Sequence, residues 1–165
     1  MMEKCEIEER LLQLAASHSW PFCYSCYRTA PTGVCVTCGT DDLMRSVSGV
    51  GVEYGLSWVR DHLIEENLDP ADLDAAFEES VNELHPDPVK IGWIEVDVAT
   101  AIKRLSPADW ELAQDQWVDQ NLEDGVIMSF DHGSTCYWTH DVERFVLANS
   151  QSGLSVGPGE PMDHA

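Results

Sequence analysis

The sequence has few basic residues. Lysine and arginine number 9 among 165 residues, against 30 aspartates and glutamates, which gives a formal net charge of −21 and a pI of about 4.3. A surface of this charge repels nucleic-acid phosphates, and the few basic residues form no patch that would offset the repulsion. The composition argues against direct nucleic-acid binding and favours a basic protein as the partner.

The sequence also lacks segments that would insert into or cross a membrane. No apolar run approaches the roughly 18 residues that a membrane-spanning helix needs. The first ten residues are charged and lack the apolar core of a signal peptide. We therefore expect a cytoplasmic protein with no membrane association. In a reducing compartment, closely spaced cysteines hold a metal more often than they form disulfides.

A phosphate-binding loop is missing as well. Gly49, Gly51 and Gly55 lie in a stretch rich in glycine and serine, residues 40–55. Their spacing differs from the dinucleotide-binding fingerprint, and no Gly-Lys-Ser or Gly-Lys-Thr follows them. We expect this stretch to be a connection.

The chain does contain two Cys-x-x-Cys motifs. Cys23 and Cys26 form the first, Cys35 and Cys38 form the second, and eight residues separate them. Each motif can form a tight turn whose two sulfurs point the same way, and two facing turns complete the tetrahedron of thiolates that Zn²⁺ accepts. Gly39 follows the second motif, where the turn often needs a positive φ. The spacing predicts a structural site for one Zn²⁺ per chain.

Residues 20–40 resemble the zinc-ribbon modules of many nucleic-acid-associated and adaptor proteins. The four cysteines match the ligand positions of that family, whereas the first turn lacks the Pro and Gly that many ribbons carry. Two alternatives stay open for the same residues, a pair of disulfides and a rubredoxin-like iron site. Cys5 and Cys136 lie outside the pattern, and we expect both to be buried thiols.

The hydrophobic periodicity of the whole chain predicts an α+β fold. An N-terminal helix and a four-cysteine zinc ribbon come first, followed by helices packed with a small, mostly antiparallel sheet. Helices are expected at about 3–17, 56–67, 69–84, 107–122 and 139–149, with a short helical turn ending near 105, and strands at 89–98, 126–130 and 135–138.

The domain organisation and the tryptophans are predicted from the same pattern. We expect the N-terminal helix and zinc ribbon in residues 1–48, an acidic α+β domain in 49–149 and a disordered tail in 150–165. Four tryptophans of the second half are expected to form one aromatic core: Trp93, Trp110, Trp117 and Trp138.

A row of carboxylates is the second feature with functional content. Glu111, Asp115, Asp119 and Glu123 recur at every fourth residue of one predicted helix, and like charges at this spacing cost a few tenths of a kcal/mol per pair. One interpretation is a surface that imitates DNA phosphates, and the other is a solvated acidic surface. We predict a small acidic zinc-binding protein that acts by protein–protein interaction, possible roles being a regulator or a DNA-mimic-type inhibitor of a nucleic-acid-binding protein.

The alternative is an enzyme with a site in residues 131–143. This region gathers acids and imidazoles that can serve in acid–base chemistry or bind a second metal: Asp131, His132, His140, Asp141 and Glu143. No His-x-x-x-His pair supports the interpretation, and a turn followed by a helix start explains the same residues. The sequence therefore favours a protein without catalytic activity.

Overall fold

The fold is α+β, as the sequence predicts. The computed structural model describes residues 2–151, and of Gln151 only the backbone. Every strand pair in it is antiparallel. The helices are α1 Lys4–Ser17, α2 Ser57–Asn67, α3 Leu73–Leu84, α4 Val98–Leu105, α5 Pro107–Glu123 and α6 Thr139–Gln151, and the strands are β1 Trp20–Cys23, β2 Arg28–Thr29, β3 Met44–Val47, β4 Gly51–Glu53, β5 Val89–Ile91, β6 Ile94–Val96, β7 Ile127–Ser129 and β8 Cys136–Trp138.

The described residues fall into two compact units. The first unit comprises residues 2–69 together with 140–151, and the second comprises residues 70–139. The boundary expected between residues 48 and 49 falls inside the first unit. The tail expected at 150–165 lies outside the described residues, apart from Ser150 and Gln151, which belong to α6.

The first unit is built on α1 and a four-stranded sheet. Ile7, Leu11 and Ala15 recur every fourth residue of α1 and are fully or almost fully buried. They form an apolar stripe of the kind that faces the core of a protein, and α2 packs against α1. The sheet has the strand order β2-β1-β3-β4, so β1 is an inner strand.

Two of these sheet strands lie where the sequence predicted only a connection. Residues 40–55 contain β3 and β4, which pair in the register Arg45↔Glu53 to Val47↔Gly51. Gly49 has a φ of 75° in the turn between them, and this conformation favours glycine. The glycines and serines of this stretch build a tight hairpin, and its strands of three and four residues are too short to show a clear alternation.

The second unit has an aromatic core between three helices. Phe77 of α3 contacts Trp110 and Trp117 of α5, at ring-centre distances of 4.6 and 5.6 Å. Ala99 and Ile102 of α4 complete the cluster. Trp110 is buried and Trp117 is partly buried within it, so the expectation of an aromatic core is confirmed for these two residues.

The same expectation is wrong for Trp93, whose side chain is 94% exposed. The single strand predicted at 89–98 is a hairpin, β5–β6, with Gly92 and Trp93 in its turn. Gly92 has a φ of 62°, which allows the chain to reverse after Ile91. The two strands predicted at 126–130 and 135–138 are confirmed as a hairpin, since β7 pairs with β8 in the register Ile127↔Trp138 to Ser129↔Cys136.

We expect Phe77→Ala to lower the free energy of unfolding by about 3 kcal/mol, because it removes a buried ring and leaves a cavity between three helices. Urea denaturation followed by circular dichroism measures the change. Leu112→Ala on α5 is the control, since Leu112 is 59% exposed and its truncation should change the free energy by about 0.5 kcal/mol or less. Equal losses in the two variants would show that Phe77 is not a core residue.

Candidate metal centre

The four cysteines of the two Cys-x-x-Cys motifs lie in two tight turns of the first unit. Cys23 ends β1, and the chain then turns back into β2. In the second turn, the N–H of Gly39 donates to the carbonyl oxygen of Cys35 at 2.8 Å, and the N–H of Cys35 donates to the carbonyl oxygen of Thr40 at 2.9 Å. These backbone bonds hold the second turn closed without any side chain.

The two turns share a backbone feature. The residue after the second cysteine has a left-handed conformation in both, with φ of 52° at Tyr27 and 74° at Gly39. The positive φ predicted for Gly39 is confirmed. Tyrosine rarely adopts this conformation, which explains why the first turn is harder to recognise in the sequence than the second.

The sulfur positions fit a tetrahedral metal ion. All four Sγ atoms lie within 4.8 Å of one another, and those of Cys23 and Cys38 are 3.7 Å apart. A Zn–S bond of about 2.3 Å requires tetrahedral Sγ–Sγ distances of about 3.8 Å, whereas a disulfide requires about 2.05 Å. The four cysteines can therefore hold a metal ion and are compatible with a zinc-binding knuckle.

The electrostatics of the cluster also suit a cation. The N–H groups of Cys38 and Thr37 donate to the Cys35 sulfur and lower the pKa of this thiol to about 6. Hydrogen bonding with the Cys38 sulfur, followed by burial and the two other sulfurs, raises the pKa of Cys26 to about 12. The pKa values of Cys26 and Cys35 thus shift in opposite directions, and a metal ion at the centre would favour the thiolate form of both.

The four cysteines of this cluster differ in burial. Cys23 and Cys35 are each 1% exposed, Cys26 is partly buried and Cys38 is exposed. A metal site needs at least three histidine, cysteine or acidic side chains close together. Among the described residues, these four cysteines form the one group that meets this condition.

The remaining two cysteines differ from each other. Cys136 is a buried thiol, as predicted, and burial followed by the charge of Asp131 raises its pKa. The prediction for Cys5 is wrong, because Cys5 is exposed on the first turn of α1, with its Sγ 3.8 Å from Oε2 of Glu3.

The carboxylate row lies on the solvent side of α5. Glu111, Asp115, Asp119 and Glu123 are all exposed, and in the described residues no lysine or arginine forms an ion pair with them. At a rise of 1.5 Å per residue, the row extends over about 18 Å of the helix. We call these four residues the acidic stripe.

Asp131 and His132, two residues of the enzyme hypothesis, lie in the β7–β8 turn. Oδ1 of Asp131 accepts hydrogen bonds from the Thr135 N–H and the Ser129 hydroxyl, both at 2.8 Å. These bonds, the one from Thr135 first, lower the pKa of Asp131. His132 has a φ of 61°, another left-handed turn position. Both residues thus have a role in shaping the turn.

The other three residues of that hypothesis lie on α6. Nε2 of His140 is 3.3 Å from Oδ1 of Asp141. Oε1 of Glu143 accepts a hydrogen bond of 3.2 Å from the Met2 N–H. These contacts connect the residues to their neighbours in the first unit.

Sequence reasoning missed the exposed apolar residues of the β5–β6 turn. Trp93 is the most exposed large hydrophobic residue described, and Ile91 and Ile94 beside it are each 52% exposed. The available signal was the Gly-Trp pair between two isoleucines. Glycine at the first of the two central positions is typical of a two-residue hairpin turn.

Comparisons with known proteins find no counterpart for this chain. No family model matches it, and neither a curated protein nor a solved structure does. Among the described residues, no helix has the length and apolar character needed to cross a membrane.

We expect Asp131→Ala to lower the free energy of unfolding at neutral pH, because it removes the acceptor that closes the β7–β8 turn. The folded-state pKa of Asp131 is depressed, so its charge stabilises the fold above the unfolded pKa of about 3.9, and this contribution is lost as pH falls through the folded value. Urea titrations across this range measure the difference from wild type.

Asp131→Asn is the matched control for the charge. It retains an acceptor oxygen, so it should be more stable than the alanine variant, and its difference from wild type should shrink on acidification. A difference that stays constant with pH would show that the ionised carboxylate does not stabilise the turn.

Proposed function

We propose that this chain is a small acidic protein that binds one structural Zn²⁺ and acts by binding a basic protein. The first part of the proposal is supported by the sulfur geometry. Four thiolates fill the tetrahedral shell of Zn²⁺ and leave no open position for a substrate, as in structural sites. Rubredoxin-like iron uses the same ligands and is distinguished by metal analysis.

The role of the ion follows from the size of the elements that it would join. β2 contains two residues, and residues 30–43, which carry the second Cys-x-x-Cys turn, form no helix or strand. Few backbone hydrogen bonds therefore order this stretch. A metal that binds only the folded arrangement contributes its binding free energy to folding. Zinc would thus fix the two turns to each other and to the sheet.

We expect one Zn²⁺ per chain in the native protein, and none in the Cys23→Ser, Cys26→Ser double variant. Native mass spectrometry measures the content, and circular dichroism should show local loss of structure in the variant. Cys5→Ser is the control and should keep its zinc, because Cys5 is exposed and outside the cluster. Iron in the native protein, or retention of zinc by the double variant, would contradict the assignment.

The second part of the proposal, binding to a basic protein, is supported chiefly by the acidic stripe. Exposed carboxylates at every fourth residue of α5 repel one another and find no cation on their own helix. A basic surface would relieve this repulsion and would gain from the long-range attraction between opposite charges.

The sharpest version is a DNA mimic that inhibits a nucleic-acid-binding protein. Residues 70–139 carry 15 aspartates and glutamates against 3 lysines and arginines. The stripe places one charge per about 6 Å of helix axis, and each DNA strand places one per about 3.4 Å. Exposed acids on or just before α3, which packs on α5, raise the density in the same unit: Asp72, Asp74, Glu79 and Glu83.

We expect the wild-type protein to displace a fluorescent DNA duplex from a purified basic DNA-binding protein at low salt and not at high salt. A panel of such proteins is titrated, and anisotropy of the duplex reports displacement. Neutralising the stripe with Glu111→Gln, Asp115→Asn, Asp119→Asn and Glu123→Gln should raise the concentration required by about tenfold or more, because charge complementarity is lost.

The control for the stripe removes four exposed charges from the first unit by Glu9→Gln, Glu65→Gln, Glu66→Gln and Asp69→Asn. This variant has the same net charge as the stripe variant and should displace the duplex nearly as well as wild type. Equal losses in both variants would assign the effect to overall charge, and the absence of any saturable, salt-sensitive displacement would leave the acids a solvated surface.

A further inference from the structure

The β5–β6 hairpin, residues 89–96, has one apolar face. Among the described residues its two strands pair only with each other. Residues opposite each other in an antiparallel pair share a face, and so do alternate residues of one strand. One face therefore carries Val89, Ile91, Ile94 and Val96, and the other carries Lys90 and Glu95.

The end of this face near the turn is uncovered. Val89 and Val96, at the base, are partly buried. Ile91 and Ile94, next to the turn, are each 52% exposed, and Trp93 within the turn is 94% exposed. We call Ile91, Trp93 and Ile94 the apolar tip.

Folding alone does not account for the apolar tip. An isolated two-stranded hairpin is marginally stable in water. The Lys90–Glu95 ion pair of 3.2 Å has side chains that are 71% and 60% exposed, and exposed pairs contribute little. The three tip residues add no core to their own unit, whereas contiguous exposed apolar residues mark interaction sites.

We infer that the apolar tip is an anchor that inserts into an apolar pocket of a basic protein. Tryptophan is among the residues that most often dominate binding energy at protein interfaces, usually in a pocket with a polar rim. The hairpin belongs to the unit with 15 acidic and 3 basic residues, so the fitting pocket is rimmed by lysines and arginines. This inference rests on the proposed function. It adds an apolar contact to the charge-based binding of a basic protein.

A second copy of the chain fits the tip less well for two reasons. Each copy carries a net charge of −21, so like charges oppose approach. The area is also small, because a buried tryptophan contributes at most about 250 Å² and a stable interface needs about 800 Å² per partner. A basic partner removes the first objection, and its contacts with the surrounding acids supply the missing area.

The test is photo-crosslinking followed by affinity measurement on the full chain. Trp93→p-benzoylphenylalanine is irradiated in the native host's cells, with Leu105→p-benzoylphenylalanine as the control, because Leu105 lies in the same unit and is 75% exposed. The captured protein is identified by mass spectrometry, purified and titrated against wild type, Trp93→Ala and Leu105→Ala.

We expect position 93, and not position 105, to capture a protein with a lysine- and arginine-rich surface. Trp93→Ala should raise the Kd for this protein by about tenfold or more, and Leu105→Ala should change it by no more than about twofold. Because Trp93 is exposed, circular dichroism and zinc content of Trp93→Ala should match wild type, which separates lost binding from lost folding.

Several results would overturn the inference. The absence of a crosslink at position 93 is one. A crosslink to another copy of the chain or to an acidic protein is the second, and an unchanged Kd for Trp93→Ala is the third. Flotation of wild type, but not of Trp93→Ala, with phosphatidylcholine vesicles would make the tip a lipid-binding element instead.

The inference and the proposed function can fail separately. If the stripe variant loses the captured partner and Trp93→Ala does not, the hairpin assignment fails and the proposed function stands. If Trp93→Ala loses the partner while high salt and the stripe substitutions have no effect, the charge-based function fails.

Discussion

The convergence of four cysteine sulfurs is the contact that brings the two Cys-x-x-Cys turns of the first unit together. The Sγ atoms lie within 4.8 Å of one another, although their two motifs are separated by eight residues of turn and short strand. Of those eight residues only Ala30 is buried, so a metal ion held by the sulfurs would add order that hydrophobic burial does not supply there. The second unit is held by an aromatic core, with Phe77, Trp110 and Ala99 buried between three helices.

Much of this fold follows from local chemistry that can be read in the sequence. Pro107 occupies the first turn of α5, which begins where it was predicted. The helix predicted from residue 69 begins later, at Leu73, where the Asp72 carboxylate caps it by accepting from the Ala75 N–H at 3.1 Å. Such signals define where helices begin. The cysteine spacing predicted the sulfur cluster for the same reason, since two tight turns bring sulfurs together with little help from the rest of the chain.

The errors in the strands have a common cause, which is their shortness. β3 to β6 contain three or four residues each, and alternation over so few positions cannot be distinguished from a loop or from one longer strand. Trp93 was expected in the core because it is large and apolar, and its placement in a two-residue turn depends on the φ of Gly92. The apolar tip could not be predicted from composition, because exposure depends on which neighbours cover a face.

Lys103 shows how the acidic unit uses its few cations. Its Nζ lies 2.8 Å from Oε2 of Glu78 and 5.1 Å from the ring centre of Trp110, so the charge ties α4 to α3 and to the aromatic core. Lys90 is likewise paired with Glu95. The unit thus engages two of its three cations internally and leaves its outer carboxylates to be balanced by ions from the solvent. In solution these carboxylates attract cations, and the release of such ions on contact with a cationic surface is an entropic driving force.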